Sequence, residues 1–297
     1  MSAQPSSPNT TTSWRPAGSW SLLWDHAILI TWCLVALAPV YMALVTSSHE
    51  AVTIHTQGLQ LLPGGHALAT YDKVLLAPSG FSGDISGWRM TLNSLALGLG
   101  FALGKILISV LAAYAIVYFR MPGGVLFFWL IFATLLLPLE VRIIPTYEIV
   151  HHLGLSNTYG GLIIPLIASA TATFYFRQFY LSVPAELQEA ARIDGAGPWR
   201  FLIDMLLPVS RTTIAAIFII MFVTGWNQYL WPTIITTDEG YFTLVRGIKQ
   251  IMQVWLEADI PHYNEAMALA ILAMLVPVTL VVFFQKWFIK GLTEGGK

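Results

Sequence analysis

The first residues that suggest chemistry lie in an apolar stretch, where two glycines precede a lysine. Gly100 and Gly104 are followed directly by Lys105. A phosphate-binding loop has glycine, four residues, then Gly-Lys-Ser/Thr, so that backbone amides surround the phosphates and the hydroxyl binds Mg²⁺. Here Leu99 and Ile106 occupy the positions that need glycine and the hydroxyl. We therefore expect no ATP binding by this chain, and we interpret the glycines as a small-xxx-small pair for close helix packing.

A second candidate for chemistry is the adjacent pair His151 and His152. Adjacent residues on a helix do not face each other, so one metal ion is not easily held by both. The end of an external loop is the better interpretation. No Ser/His/Asp set and no pair of carboxylates has a spacing that suggests catalysis. We expect that the chain is not an enzyme and holds no metal or cofactor of its own.

Five polar residues fall within or beside apolar stretches, where ionisable groups are costly and usually face a cavity or a partner. They are Lys105, Glu140, Arg142, Asn227 and Gln228. Each is a candidate for the path of a polar solute. The alternatives are structural: the Glu140 and Arg142 charges neutralise each other, Lys105 meets a carbonyl, and the two amides form helix-to-helix hydrogen bonds.

The composition explains why such residues would lie in a membrane. Of 297 residues, 56% are hydrophobic and 10% charged, whereas soluble domains carry about 25% charged residues. The mean hydropathy is +0.67, so much of the surface is expected to face lipid. A net charge of −1 argues against nucleic-acid binding, which requires a surplus of cations. The single cysteine, Cys33, permits neither a disulfide nor a cysteine metal site within one chain.

A helix needs about 20 apolar residues to cross the hydrocarbon core. Six stretches meet or nearly meet that length: residues 27–45, 90–119, 123–139, 159–176, 212–235 and 266–284. We therefore predict an all-α membrane protein with six transmembrane helices.

Lysine and arginine placement predicts the orientation, because cytoplasmic segments carry an excess of these residues. With the N-terminus inside, nine lie in cytoplasmic segments: Arg15, Arg120, Arg177, Arg192, Arg200, Arg211, Lys286, Lys290 and Lys297. Five lie outside: Lys73, Arg89, Arg142, Arg246 and Lys249. Both termini are therefore expected in the cytoplasm.

The spans divide the chain into three regions. Residues 1–20 are rich in Ser, Thr and Pro and are predicted to be a disordered tail. Residues 21–290 form the transmembrane domain, with a long external loop at 47–89 and the longest cytoplasmic loop at 177–211. Residues 291–297 form a C-terminal cytoplasmic tail.

The cytoplasmic loop is predicted to contain two short helices joined by a tight bend. Ser182 is a candidate N-cap of the first helix. Gly195 is expected to end that helix in a left-handed conformation, and Pro198 suits the first turn of the second. The loop is thus a compact, rigid segment that is too polar to span the membrane.

The same loop carries a resemblance to a known family. Glu189, Ala190, Ala191, Gly195 and the run 205–208, Met-Leu-Leu-Pro, resemble the EAA loop of permeases in ATP-binding-cassette (ABC) importers. The usual pattern has isoleucine where this chain has methionine, a volume-conserving change. The segments 92–95 and 112–115 are similar to the start of the shared permease core, and 291–297 to the tail of the smaller permease in carbohydrate importers of the maltose type.

The resemblance implies a type I ABC importer permease fold in which this loop is the coupling helix, docked on an ATP-binding subunit. The implied coupling residues are Glu189, Ala190, Ala191, Asp194 and Gly195. It also implies a second homologous permease, a dimer of ATP-binding subunits that binds ATP and Mg, an extracytoplasmic substrate-binding protein and a bacterial inner-membrane location. The tail would reach the ATPase dimer interface.

The solute is a further expectation from resemblance. Residues 137–146, 168–174 and 225–232 are similar to permeases of glycerol-phosphate importers, which implies sn-glycerol-3-phosphate or related glycerophosphodiesters. A neutral disaccharide such as maltose or trehalose stays open as the alternative. A more remote alternative is an ion-driven secondary transporter, which would need a repeated half-structure and acidic residues within the membrane.

Overall fold

The computed structural model describes residues 19–77, 85–119, 122–134, 138–255 and 260–294. These residues are helical or connecting segments, and no strand occurs among them. The predicted disordered tail lies mostly outside the described residues, since a helix begins at Ser19. The chain divides into two compact units, Met1–Met42 and Ala43–Lys297. In the first unit, the described residues form an apolar helix with mostly exposed side chains.

Fifteen α-helices occur in the described residues, in the following order. They are α1 (Ser19–Ser47), α2 (Ala51–Gln57), α3 (Ala67–Leu76), α4 (Gly87–Tyr118), α5 (Gly124–Ala133), α6 (Leu139–His152), α7 (Tyr159–Ile163), α8 (Ala170–Ser182), α9 (Ala185–Ile193), α10 (Pro198–Arg200), α11 (Leu207–Val209), α12 (Arg211–Trp226), α13 (Leu230–Ile235), α14 (Leu244–Trp255) and α15 (Tyr263–Glu294). Short 3₁₀ turns cover Ile164–Leu166 and Glu239–Tyr241, and a π-helical stretch covers Phe201–Leu206.

Three of the predicted spans are long continuous helices. They correspond to α1, α4 and α15, which contain 29, 32 and 32 residues. At about 1.5 Å per residue, each is long enough to cross a hydrocarbon core of about 30 Å. The prediction of an all-helical membrane architecture is confirmed by these elements.

The fourth predicted span, 159–176, is not one straight helix, so that detail of the prediction was wrong. α7 continues into the 3₁₀ turn Ile164–Leu166, and α8 then leaves at an angle of 49°. Pro165 lacks a backbone N–H and therefore weakens the helix at this point. Ser169 starts the next helix as its N-cap, because its side chain accepts a hydrogen bond from the Ala172 amide at 3.2 Å.

The fifth and third predicted spans are also divided. α12 has 16 residues and ends at Trp226, and α13 begins only at Leu230. At its other end α12 meets the segment Pro198–Val209 at an angle of 75°. In the third predicted span, α5 covers ten residues, and residues 135–137 lie outside the described part of the chain.

The second unit is organised around α4, which packs against α8 and α12, while α12 also packs against α15. Glycines allow the close approach. A Cβ at Gly100 would lie 2.6 Å from Ile163 Cδ1, and one at Gly104 would lie 2.5 Å from Ile167 Cγ2. The predicted small-xxx-small pair is thus confirmed as the surface on which the bent fourth span packs.

The segment between α1 and α4, predicted to be external, is tied to the last long helix. α2 and α3 pack against α15. Lys73 Nζ on α3 lies 2.7 Å from Glu265 Oε1 in the first turn of α15. This pair fixes the segment to the N-terminal end of α15.

Replacing Gly225 by leucine tests a close contact between α4 and α12. A Cβ at Gly225 would lie 2.8 Å from Phe101 Cβ, so the larger side chain forces the helices apart. We expect a loss of about 1–3 kcal/mol of stability, measured as a lower thermal midpoint of the purified protein. Gly65→Ala is the matched control, since nothing lies within 4 Å of its added Cβ. An unchanged midpoint for Gly225→Leu would show that this contact is not tight.

Candidate functional site: the loop at 177–211 and a cationic cavity

The loop after α8 begins differently from the prediction. Ser182 is not the N-cap of the following helix. It is the last residue of α8, and its hydroxyl donates to the Phe179 carbonyl at 2.7 Å. Pro184 instead precedes α9 as its N-terminal flanking residue. The proline restricts its preceding residue to extended backbone, so the chain turns there before the new helix starts.

The predicted glycine bend is confirmed. Gly195 has φ +70°, which is the left-handed region that glycine adopts without steric cost. The Ala196 amide donates to the Ala191 carbonyl at 2.8 Å, and the Asp194 amide donates to Ala190 at 2.9 Å. These bonds satisfy carbonyls that the helix end would leave unpaired. Pro198 then starts the next helix, also as predicted.

The loop is fixed to the transmembrane core on its inner side. Ala191 is 2% exposed, and Phe201 and Leu202 are buried as well. The Tyr114 hydroxyl on α4 donates to the Pro198 carbonyl at 2.8 Å. The loop therefore has a direct polar contact with α4, one of the two 32-residue helices of the second unit.

The outer face of the loop carries the other coupling candidates. Glu189, Ala190 and Asp194 are exposed, on the side away from buried Ala191. Two large apolar side chains accompany them: Ile193 is 86% exposed and Trp199 is 66% exposed. Sequence reasoning missed both, although isolated bulky apolar residues in a polar loop are a recognisable sign of an interaction surface.

A second site lies within the helices, where Lys105 and Arg142 line the same space. One cavity has a volume of about 260 Å³ and is also lined by Thr146 and Gln228. A second cavity, about 360 Å³, shares Lys105 and Arg142 with the first and extends along Ser169 to Thr173. The structure thus brings together three of the five polar candidates.

Each cation has an identifiable setting. Lys105 Nζ lies 4.2 Å from the ring centroid of Phe101, one turn earlier on α4. Arg142 is exposed on α6, and the Thr146 hydroxyl donates to its carbonyl at 2.7 Å. The Gln228 amide donates to the Thr224 carbonyl at 3.3 Å. Thr146 and Thr224, which also line the cavity, were not identified from the sequence.

Glu140 and Asn227 are not among the residues that line either cavity. Glu140 is exposed in the first turn of α6. In the described part of the chain no ion pair joins it to Arg142, because residues two apart on a helix do not face each other. The Asn227 amide donates to Val223, in its own helix, at 2.9 Å.

The histidine pair lies at the end of α6. His151 Nδ1 is 3.2 Å from the Ser156 hydroxyl, and its ring stacks on Tyr147 with centroids 5.7 Å apart. These contacts give His151 a structural role at the turn after the helix.

Asn93 holds the segment after α13. Its amide nitrogen donates to the Gly240 and Phe242 carbonyls at 2.8 and 2.9 Å. Its oxygen accepts from the Tyr159 hydroxyl at 2.6 Å. The role of Asn93 was not apparent from the sequence, although 92–95 was part of the family resemblance.

Arg246 holds the same segment from the other side. It donates to both the carbonyl and the hydroxyl of Thr236, and its guanidinium lies 3.6 Å from the Phe242 ring centroid. Burial lowers the pKa of Arg246 to about 10, so it stays protonated at neutral pH. The charge is therefore used within the segment after α13.

The long and bent apolar helices, joined through a rigid polar loop, define a multi-pass transport protein. The family described as "Binding-protein-dependent transport system inner membrane component" matches residues 94–294, which is more than half of the chain. The chain belongs to this family and is a permease component of such a transport system. Membership of this family contradicts the alternative that the chain is an ion-driven secondary transporter.

Curated relatives match over nearly the full length. The sn-glycerol-3-phosphate transport system permease protein UgpE of Brucella melitensis is 46% identical over 277 residues, covering 93% of this chain and 98% of that protein. UgpE of Agrobacterium fabrum is 47% identical, covering 92% and 96%. Among solved structures, a bacterial ABC transporter involved in the import of the acidic polysaccharide alginate matches with a TM-score of 0.77 at 21% identity, covering 93% of this chain and 100% of that chain. This likeness confirms the ABC importer permease fold.

Replacing Asn93 by leucine tests the segment after α13. The change leaves one buried and one partly buried carbonyl without their donor, and each loss of a buried bond costs about 1–3 kcal/mol. We expect faster hydrogen exchange of the amides in 236–247 and lower stability. Tyr159→Phe removes only one of the three bonds and should have a smaller effect. Exchange of Asn93→Leu at the wild-type rate would contradict this role.

Proposed function

We propose that this chain is the permease subunit through which a partner ATPase drives import of sn-glycerol-3-phosphate or related glycerophosphodiesters. The observation that carries the coupling part is the loop at 177–211. Its inner face is fixed to α4, whereas its outer face exposes polar and apolar side chains together. The solute is inferred from the names of the relatives, which are 46–47% identical to this chain.

The coupling follows from how the loop is connected. ATP and Mg are bound and ATP is hydrolysed by the partner subunits, and this chain contributes Glu189, Ala190, Ala191, Asp194 and Gly195 to the contact. A compact loop with internally satisfied hydrogen bonds moves as a unit. Closure of the ATPase dimer would therefore displace the loop and, with it, the helices attached to it.

Two connections lead from the loop to the cationic cavity. Tyr114, which bonds to Pro198, lies nine residues after Lys105 on α4, or about 14 Å at ~1.5 Å per residue. The segment Pro198–Val209 leads directly into α12, and Thr224 on that helix lines the cavity. Movement of the loop is thereby transmitted to two walls of one cavity, as alternating access requires.

The proposed assembly contains a second homologous permease, a dimer of ATP-binding subunits and an extracytoplasmic substrate-binding protein. The complex lies in the inner membrane of a bacterium. Both termini of this chain lie in the cytoplasm. Residues 291–297 contact the ATPase dimer. α15 continues to Glu294, and residues 295–297 lie outside the described part of the chain.

The solute path is proposed to include Lys105, Arg142 and Gln228, with Asn227 and Glu140 further along it. An anionic solute is favoured over a neutral disaccharide, because both strongest candidates are cations that line one space. Opposite charge in the path raises the local concentration of the solute.

Cysteine cross-linking tests both the coupling contact and the cytoplasmic side of the loop. In a Cys33→Ser background, Ala190→Cys is expected to form a cross-link to the ATP-hydrolysing subunit. Ala191→Cys is the matched control, because this neighbour is 2% exposed and should form little or none. Equal yields from the two positions, or no capture from Ala190→Cys, would overturn the proposed contact.

Gly195→Pro tests the rigid bend. Proline fixes φ near −65°, whereas Gly195 has φ +70°, so the bend cannot form as observed. We expect normal membrane insertion. ATP-driven uptake should fall at least about tenfold, which corresponds to a loss of about 1.4 kcal/mol of coupling free energy. Gly197→Ala is the control, since its φ of −69° suits alanine. Coupled uptake at the wild-type rate in Gly195→Pro would contradict the mechanism.

A further inference from the structure

Lys105 and Arg142 are two cations in one space that contains no acidic side chain among the described residues lining it. A cation within a long apolar helix, as Lys105 is in α4, is costly unless a partner or a water-filled cavity compensates it. The Phe101 ring, 4.2 Å from Lys105 Nζ, compensates only part of one charge. A ligand of opposite charge would compensate both.

We propose that Lys105 and Arg142 form an anion site that holds the phosphate group of the transported solute. Thr146 and Gln228 then accept hydrogen bonds from the hydroxyl groups of the same solute. This inference rests on the proposed function and names the residues that select the solute. Arginine supplies a planar fork for two phosphate oxygens, and lysine a compact point charge.

The number of charges selects the class of solute. A phosphomonoester carries about −1.5 to −2 charges at neutral pH, which balances the two cations. A phosphodiester carries one negative charge and leaves one cation uncompensated. A neutral sugar leaves both cations uncompensated. The site therefore prefers a phosphomonoester to a phosphodiester, and either to a neutral disaccharide.

The size and remaining polar groups favour a small solute. The cavity that Thr146 and Gln228 line has a volume of about 260 Å³, and the neighbouring cavity has about 360 Å³; both are at or below the lower end of the ~300–1,000 Å³ range of sites for drug-sized ligands. The Thr146 hydroxyl donates its proton to Arg142 O, so its lone pairs can accept from a solute hydroxyl. Gln228 donates to Thr224, which leaves the amide oxygen as a second acceptor.

Thiol reactivity measures the local charge without any transport step. In the purified complex with Cys33→Ser, Thr146→Cys would be treated with an anionic methanethiosulfonate (ethylsulfonate) and a cationic one (ethyltrimethylammonium). We expect the anionic reagent to react on the order of tenfold faster. Arg142→Gln or Lys105→Gln should lower this preference, and sn-glycerol-3-phosphate should slow the anionic reagent.

Thr56→Cys is the matched control for reagent chemistry. Thr56 lies on external helix α2 and donates to Val52, four residues earlier, at 2.8 Å, as Thr146 does to Arg142. It should show no comparable preference, so the ratio of the anionic to the cationic rate is compared between the two positions. A ratio at Thr146→Cys no higher than the ratio at Thr56→Cys would overturn the anion site.

Uptake by the complete complex in proteoliposomes gives the functional readout. Arg142→Gln and Lys105→Gln should each reduce ATP-driven uptake of sn-glycerol-3-phosphate about tenfold or more, and Arg142→Lys should retain more than Arg142→Gln. Lys249→Gln is the control: Lys249 has a similar ring contact, 4.1 Å from Tyr229, but does not line the cavity.

The outcomes separate this inference from the function on which it rests. If the wild-type complex imports sn-glycerol-3-phosphate and both glutamine variants do so equally well, the site is wrong and the importer stands. If the wild-type complex imports no phosphorylated solute with ATP, the proposed substrate itself fails. Loss of uptake in the two variants together with a lost anionic preference supports the site.

Discussion

In the hydrocarbon core of a membrane no water satisfies a backbone amide or carbonyl, so each of these groups needs a partner within the protein. Continuous helices meet this requirement by themselves, as α4 and α15 do. Where a span is broken, other groups must contribute. Ser109 donates to the Ser169 carbonyl at 3.3 Å beside the break in the fourth span, and Trp231 donates to Gly161 at 3.0 Å. Breaks are therefore found where side chains can complete the hydrogen bonding.

The two breaks are also where the structure admits polar side chains. Of the cavities that contain the two cations, one is lined by Ser169 at the break in the fourth span and the other by Gln228 after α12. These side chains add to the polar lining that Lys105 contributes from the continuous helix α4. Interruption of the helices thus enlarges the polar part of this space at points where the backbone requires protein partners.

The length of the apolar stretches was enough to predict the all-helical membrane fold, because the number of residues needed to cross the hydrocarbon core can be counted along the sequence. Glycine chemistry was also readable: the left-handed Gly195 and the packing of Gly100 and Gly104 follow from the missing Cβ. A hydropathy window registers composition and not hydrogen bonding, so it missed the bend after Pro165. Ser182 was misassigned because Pro184 decides where the next helix begins.

The candidate site was only partly predictable for a similar reason. Lys105 and Arg142 stood out because charges are rare in apolar segments. Thr146 gave no signal, since a threonine in a helix is unremarkable until its neighbours in space are known. Gln228 is 123 positions after Lys105 (228 − 105), and only the packing of α4 against α12 brings them to one cavity. The exposure of Ile193 and Trp199 likewise depends on which side of the loop faces the core.

One contact connects packing, charge and coupling. Phe101 touches α12 at Gly225, where an added Cβ would lie 2.8 Å from Phe101 Cβ, and its ring lies beneath Lys105. This contact between α4 and α12 therefore also places the ring that lies against the lysine cation. α12 follows directly from the loop at 177–211, so displacement of that loop would shift the helix against Phe101. Such a shift would change the contact between Phe101 and Lys105, which connects the proposed ATPase contact to the proposed anion site.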